Sequence, residues 1–337
     1  MTDLLVVGGG PVGLTASIEA RLAGLEVTVI EPRAGPIDKA CGEGLMPGAL
    51  PLLYRLGVSP RGFALQGVSY RDDTRFVDHR FENGHGLGVR RTTLHRALHE
   101  RALEVGVQMH AGKVDAITQF ADGIEAAGIS ASWMLACDGL HSTVARLTGL
   151  ARPAPVRRRR YGLRRHYRVE PWSDLIEVHF NPFGELYVTP TADGMVGVSL
   201  LARQHADFEE ALAASPELAA RVVGAEAASE LRGAGPFRQR TSARTRGRVL
   251  LVGDASGYVD AITGEGLRLG FEQARAAIDA IVSGSDYERE WSRITRDFRV
   301  LTSGLALAAA TPLHAAIVPL ARALPRVYRN AVESLAR

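Results

Sequence analysis

Residues 8–13 read Gly-Gly-Gly-Pro-Val-Gly, immediately after the apolar run Leu4-Leu5-Val6-Val7. A short continuous apolar run predicts a strand buried on both faces. Residues 12–23 place Leu14, Ile18 and Leu22 on one stripe at helical spacing, Gly24 stops that helix, and residues 25–30 predict a second strand. Glycines 8, 10 and 13 thus satisfy G-x-G-x-x-G between a strand and a helix. Gly8 allows the tight turn, Gly10 lets the backbone of Pro11 and Val12 approach a pyrophosphate, and Gly13 lets the helix pack close to the sheet. Glu31 closes the second strand, placed to accept the ribose hydroxyls of an adenosine. Arg33, two residues on, can lie over the adenine or touch a phosphate, or stay a solvated loop arginine.

The chain is long enough for what this start demands. Its 337 residues, 46% apolar, predict one or two domains, or one interleaved two-part fold. A net charge of +3 gives no reason to expect a nucleic-acid partner. Lysine occurs twice, at Lys39 and Lys113; the other cations are arginine. Two cysteines, Cys41 and Cys137, exclude a disulfide scaffold, and no metal site is expected. The opening residues carry no leader pattern, so a cytoplasmic protein is expected. The most apolar late stretch, residues 305–320, contains Pro312, His314 and Pro319, and no transmembrane segment is expected.

Further along, helices are predicted over 46–56 and 94–105, and strands over 107–109, 114–119, 123–127 and 132–136. Residues 162–169, 175–180, 185–189 and 195–201 are short and β-rich, with turn signals between them, and predict an antiparallel meander. Residues 206–231 read as helical, 249–252 as a buried strand, 267–281 as a helix, and 287–337 as helices broken near Pro312, Pro319 and Pro325. The expected organisation is an α/β fold. A Rossmann-like domain (1–60, 90–160 and 240–285) is interleaved with an antiparallel-sheet substrate domain (61–89 and 161–239), and helices close the chain (286–337).

Two more blocks repeat the design of the first. Ala136-Cys137-Asp138-Gly139 and Val252-Gly253-Asp254-Ala255 each end a buried strand in an acid at a helix entrance. Gly264-Glu265-Gly266, followed by Leu267, opens a long helix whose N–H groups can face a carbonyl or a phosphate. With Arg91-Thr92-Thr93-Leu94, these blocks resemble the FAD-binding fold of p-hydroxybenzoate-hydroxylase-type monooxygenases, geranylgeranyl reductases and flavin-dependent halogenases. The resemblance covers most of the chain up to about residue 281. It implies a glutathione-reductase-type FAD domain, with the first glycines and Glu31 on the ADP part. Arg91 would contact the cofactor, the Asp138-Gly139 block would serve FAD and reduced nicotinamide, and Gly253-Asp254 would hold the ribityl chain.

Lys39-Ala40-Cys41-Gly42-Glu43-Gly44-Leu45 looks like the Cys-Gly-x-Gly-Leu segment of the reductases. Tyr187-Val188-Thr189-Pro190 stands where those enzymes carry a tryptophan-bearing strand, and the paired tryptophans of the halogenases are absent. Ser256-Gly257 replaces the Ala-His of the aromatic hydroxylases. The first expectation is an NAD(P)H-fed monooxygenase hydroxylating an aromatic or polyketide-like small molecule. The alternative is a geranylgeranyl-reductase-like enzyme saturating C=C bonds of an isoprenoid or alkyl chain; a third is a non-catalytic flavin module.

Catalytic groups are not readable from spacing, because flavin chemistry demands no fixed triad. The candidates are Cys41, Arg165 and Tyr187. Arg165 and Tyr167 share one face of their strand, and Arg164, His166 and Arg168 the other. The run Arg157–Arg160 is either a solvated loop or a site for an acidic substrate, a nicotinamide phosphate or an acyl-carrier partner. A reductase partner is a further option. The late helices, carrying Arg322, Arg326 and Arg329, pack as ordinary core, touch a membrane surface or wall a pocket for a long-chain substrate.

Overall fold

The first strand alternates its side chains between two cores, as a strand buried on both faces must. Leu4 and Val6 point into one apolar cluster, Leu5 and Val7 into another. The computed structural model describes residues 2–153, 159–309 and 311–337; Arg157 and Arg158 of the arginine run lie outside them. The strand Thr2–Val7 is followed by the helix Pro11–Leu22 and the strand Val27–Ile30. It lies inside a sheet ordered Gln108–His110, Val27–Ile30, Thr2–Val7, Ile129–Ala136, Val249–Leu251, Thr245–Arg246. All neighbours along this path are parallel except the last pair. Helices Pro11–Leu22, Arg91–Glu104 and Gly266–Ser283 cover one face through Leu14, Ile18, Leu94, Leu98 and Phe271. The short helix Thr143–Leu147 and a side hairpin cover the other, through Val144 and Ile124.

A second sheet runs Glu226–Ala227, Arg160–Arg168, Met195–Arg203, Gly184–Thr191, Leu175–Asn181, Gly67–Arg71, Phe76–Arg80. Its one parallel pair joins Leu175–Asn181 to Gly67–Arg71. Helices Phe208–Ala213 and Pro216–Val222 pack on its back through Phe208, Leu212 and Leu218. The late helices Ile317–Ala323 and Pro325–Ala336 pack beside Val68, Ile176 and Val178. Tyr328 donates its hydroxyl to Val68 O at 2.9 Å, and His79 Nε2 lies 2.6 Å from Glu333, fixing the last helix to the sheet.

Some expectations give way here. The predicted strand 114–119 shrinks to Thr118–Gln119. Residues 206–231 are two short helices rather than one helical stretch. Pro216 lacks the N–H that a continuing helix needs, so it starts the second one instead. After Gly224, at φ +75°, the chain joins the sheet as Glu226–Ala227. Pro319 breaks nothing, because it falls in the first turn of Ile317–Ala323, where its missing donor is not used. Pro325 begins the last helix.

Buried charge ties the two sheets together. Arg160 pairs with Glu185 and, at 3.2 Å, with Asp260 in the loop after Gly253. Glu265 opens the helix Gly266–Ser283, fully enclosed and paired with Arg268. Burial pushes its carboxyl up from 4.5 to about 7, against the pull of Arg268. A raised folded value means that the native state holds a proton which the unfolded chain releases. Stability is therefore fully present below about pH 4.5 and is lost as pH rises through 7. Glu265→Gln should remove this loss. Its urea-unfolding free energy should fall between pH 5 and pH 8 by about 2 kcal/mol less than the parent's; equal pH profiles would show that Glu265 is ionised throughout.

Candidate functional site

The C-terminal ends of the parallel strands face the second sheet across a single cavity of about 760 Å³. Val7, Ile30, Cys137 and Val252 form its floor, the position at which open α/β sheets bind ligands. The glycine loop makes one wall. Gly8 has φ +104°, and a Cβ there would stand 2.5 Å from Cys137 O. A Cβ on Gly13 would stand 1.9 Å from Gly8 O, so helix and strand touch backbone to backbone. Gly10, Pro11 and Val12 line the cavity, and no side chain caps the helix they begin, leaving first-turn N–H groups for a ligand. Gly13 and Gly253 stand behind the wall rather than on it. Gly253 faces the Val12 side chain.

Glu31 and Arg33 both line the cavity. The Glu31 carboxylate accepts from Gly9 N at 2.9 Å and from Arg33 Nε and Nη2 at 2.7 and 3.0 Å. Burial alone would raise its pKa; the hydrogen bonds from Arg33 and Gly9 outweigh it and hold the acid below its ordinary value. Arg33 N donates to it as well, at 3.0 Å, so the roughly four lone-pair sites of the carboxylate are filled and a ribose hydroxyl would take the place of one of these donors. His95 supports the same loop, and the sequence offered no local signal for it. Buried on the helix Arg91–Glu104, its Nε2 lies 2.9 Å from Gly9 O, which can only accept. Nε2 therefore carries the hydrogen, and burial depresses the ring's basicity.

Two acids and a cation from the other blocks converge on this wall. Arg91 lines the cavity with its Nε buried and without a partner among the described residues. Asp138 accepts from Val144 N at 3.1 Å through Oδ2, while its buried Oδ1 has no partner there. Burial raises its pKa, and hydrogen bonds from Ser142 and nearby backbone only partly offset that. Gly139, Asp254, Gly264, Gly266 and Leu267 complete the arc. Both lysines of the chain, Lys39 and Lys113, stand on the same cavity.

The opposite end is apolar. Met46, Val68, Tyr70, Ile176, Val178 and Ile262 line it, with Val332 and Leu335 of the last helix. Cys41 and Gly42 lie between the two ends, and a Cβ on Gly42 would meet nothing within 4 Å. Tyr187 also lines the cavity, but its hydroxyl donates to Ile262 O at 2.8 Å. Burial keeps that phenol protonated, with its pKa well above 10. Arg165 is not on the wall. It points to the back of its sheet, pairs with Glu209 and lies over the Phe208 ring at 5.4 Å. Strand alternation sends its neighbour Arg164 to the cavity instead.

Around Arg164 lies the part of the site that spacing did not reveal. Glu43, enclosed and at φ +60°, accepts from Arg91 N at 2.8 Å through Oε1. Its Oε2 lies 2.5 Å from His166 Nε2. His166 Nδ1 is 3.0 Å from Arg164 Nη1 and 2.9 Å from Ser229 Oγ. A guanidinium only donates, so Nδ1 accepts and Nε2 carries the hydrogen given to Glu43. Arg164 also pairs with Asp38. Arg164 and His166 are both 0% exposed, so the centre of the cluster is enclosed at the seam.

Residues 1–283 match a family model described as FAD binding domain. Over 334 residues the chain is 28% identical to menaquinone reductase of Mycolicibacterium smegmatis, covering 88% of this chain and 80% of that one. It is 26% identical over 315 residues to 12-dehydrotetracycline 5-monooxygenase/anhydrotetracycline 6-monooxygenase of Streptomyces rimosus, covering 81% of this chain and 61% of the relative. The fold is similar to the crystal structure of a flavoprotein/dehydrogenase from Cytophaga hutchinsonii. The TM-score is 0.84 at 19% identity, over 99% of this chain and 92% of that one.

The contact between Gly13 and Gly8 yields a direct test. Gly13→Ala puts a methyl into backbone, so the helix must leave the strand. The expected cost is more than about 3 kcal/mol, with loss of soluble protein or a strongly lowered melting temperature. A variant as stable as the parent would show that the close approach is not required.

Proposed function

The chain belongs to the FAD binding domain family, and from that premise we propose that it is an NAD(P)H-dependent FAD monooxygenase acting on an apolar aromatic or polyketide-like small molecule. One observation carries the reading: a continuous cavity that is a polar cradle at one end and an apolar chamber at the other. The cradle fits FAD. Arg91 and Asp138 line it; Arg91 Nε and Asp138 Oδ1 are buried and unsatisfied among the described residues, and buried polar groups are rarely left so. Arg91 and the N–H groups after Gly10 would hold the pyrophosphate. Glu31 and Arg33 would hold the ribose and adenine, Asp138 and Asp254 the hydroxylated chain, and the backbone at Gly264–Leu267 the ring carbonyls. Bound there, FAD supplies the redox step that no side chain of this protein can.

The chain's own residues hold the substrate and handle protons. Val68, Ile176, Val178, Val332 and Leu335 exclude water from the apolar end. Tyr187, tied to Ile262 O, keeps the loop after Asp260 against the sheet. Glu43 lines the cavity between the two ends, and its carboxyl, held by Arg91 N and by the Nε2–H of His166, would be the group that takes up a proton from the substrate. These are the groups a hydroxylase needs for a substrate hydroxyl.

A second reading is reduction of a C=C bond in an isoprenoid or alkyl chain. It is favoured by Cys41 and Gly42 on the wall, by the length of the apolar end, and by the match to menaquinone reductase over most of both chains. The same Glu43 would then deliver a proton rather than remove one. In either case the protein is an FAD-dependent oxidoreductase.

Anaerobic titration with NADPH and NADH, followed by flavin absorbance and then by admission of air, tests the proposal. Bleaching by a nicotinamide, recovery in air and a product heavier by one oxygen atom are expected. A product heavier by two hydrogens would establish the second reading, and flavin that neither nicotinamide bleaches would overturn the donor assignment. Glu31→Ala should cut FAD retention after gel filtration at least about tenfold, roughly 1.4 kcal/mol; full occupancy would remove Glu31 from the cradle. Glu43→Gln should keep bound flavin but slow turnover about a hundredfold, and unchanged turnover would leave the Glu43–His166 pair a purely structural link.

A further inference from the structure

The helix Ile317–Ala323 carries apolar residues on both sides and a single charge, Arg322, in its last turn. Val318 packs into the cluster with Val68 and Ile176. Leu320, two positions along and roughly 200° round the helix, points away from the protein. Leu313, Leu320, Leu324 and Val327 are each 51 to 62% exposed. A surface helix normally turns polar residues outward; one that is apolar all round is covered on both sides. The charge pattern names the cover. Residues 298–332 contain four arginines and no aspartate or glutamate. Arg322 and Arg326 are exposed and have no ion-pair partner among the described residues. No helix of the described residues is long and apolar enough by itself to cross a bilayer.

We infer that the segment 313–327 docks the protein on the surface of a bilayer containing anionic lipid. Leu320, Leu324 and Val327 enter the acyl boundary, and Arg322 and Arg326 meet the phosphates. The placement suits the cavity. The next helix, Pro325–Ala336, supplies Val332 and Leu335 to the apolar end, so the docked face and the substrate chamber share one element. An apolar substrate then passes from lipid to chamber without crossing water, whichever reaction runs there.

The test is co-sedimentation of the whole FAD-loaded chain with phosphatidylcholine vesicles, with and without phosphatidylglycerol. Binding to the anionic vesicles should exceed binding to neutral ones at least about tenfold and fall with salt. Arg322→Ala with Arg326→Ala should weaken it roughly thirtyfold. Leu320→Glu with Leu324→Glu should abolish it, with flavin content unchanged as the check on folding. The inference is overturned if the parent stays in the supernatant, if neutral vesicles bind it equally, or if both variants bind as the parent does. A concentration-dependent dimer that Leu320→Glu dissolves would also overturn it, by giving the face to a second copy.

Discussion

Everything in the cavity depends on a charge cluster that cannot be dismantled piecemeal. Arg164 and His166 are wholly enclosed, and Glu43 nearly so. Ions in such a place are costly unless each is paired and hydrogen-bonded. The four groups bond one another across three elements, leaving only Arg164 Nε of the guanidinium buried without a partner among the described residues: Asp38 and Glu43 from the loop, Arg164 and His166 from the sheet, Arg91 N from a helix on the parallel side. The loop carrying Cys41 and Gly42 is thereby held between the two sheets, and its position sets where the polar end stops and the apolar end begins. Glu43 sits at φ +60°, a conformation a glutamate adopts only where its surroundings over-determine it.

The polar end rests on a different economy of space. Gly8, Gly13 and Cys137 meet at backbone contact, which brings two strand ends and a helix start within reach of one ligand. His95 and Glu31 then clamp Gly9 from opposite directions, one through its carbonyl and one through its N–H. A rigid backbone with free first-turn N–H groups binds an anion without having to reorganise, which is why the phosphates of a dinucleotide suit it.

The late helices do three jobs that pull against one another. Their inner faces close the apolar end of the cavity through Val332 and Leu335. Tyr328 and Glu333 fix them to the sheet. Their outer face keeps exposed leucines that a fully solvated helix would replace with charge. The lipid surface proposed above would reconcile the three, since the same helices would then have apolar cover on both sides.

By itself the sequence determined what is local. The strand, glycine loop, helix and Glu31 lie within thirty-one residues, and their spacing alone dictates the turn, the close packing and the acid at the second strand's end. The acid-ended strands at Asp138 and Asp254 were legible for the same reason, as was the meander, from its turn residues. Alternation told that Arg164 and Arg165 face opposite ways, but not which of them meets the cavity; only the packing of Phe208–Ala213 on the back of the sheet decided that. Glu43 stood in view inside a glycine motif, yet its partner His166 is 123 residues away, and His95 meets Gly9 across 86. No periodicity encodes such distances. Tertiary structure chose them, because a buried charge takes whatever partner the fold brings within hydrogen-bond reach.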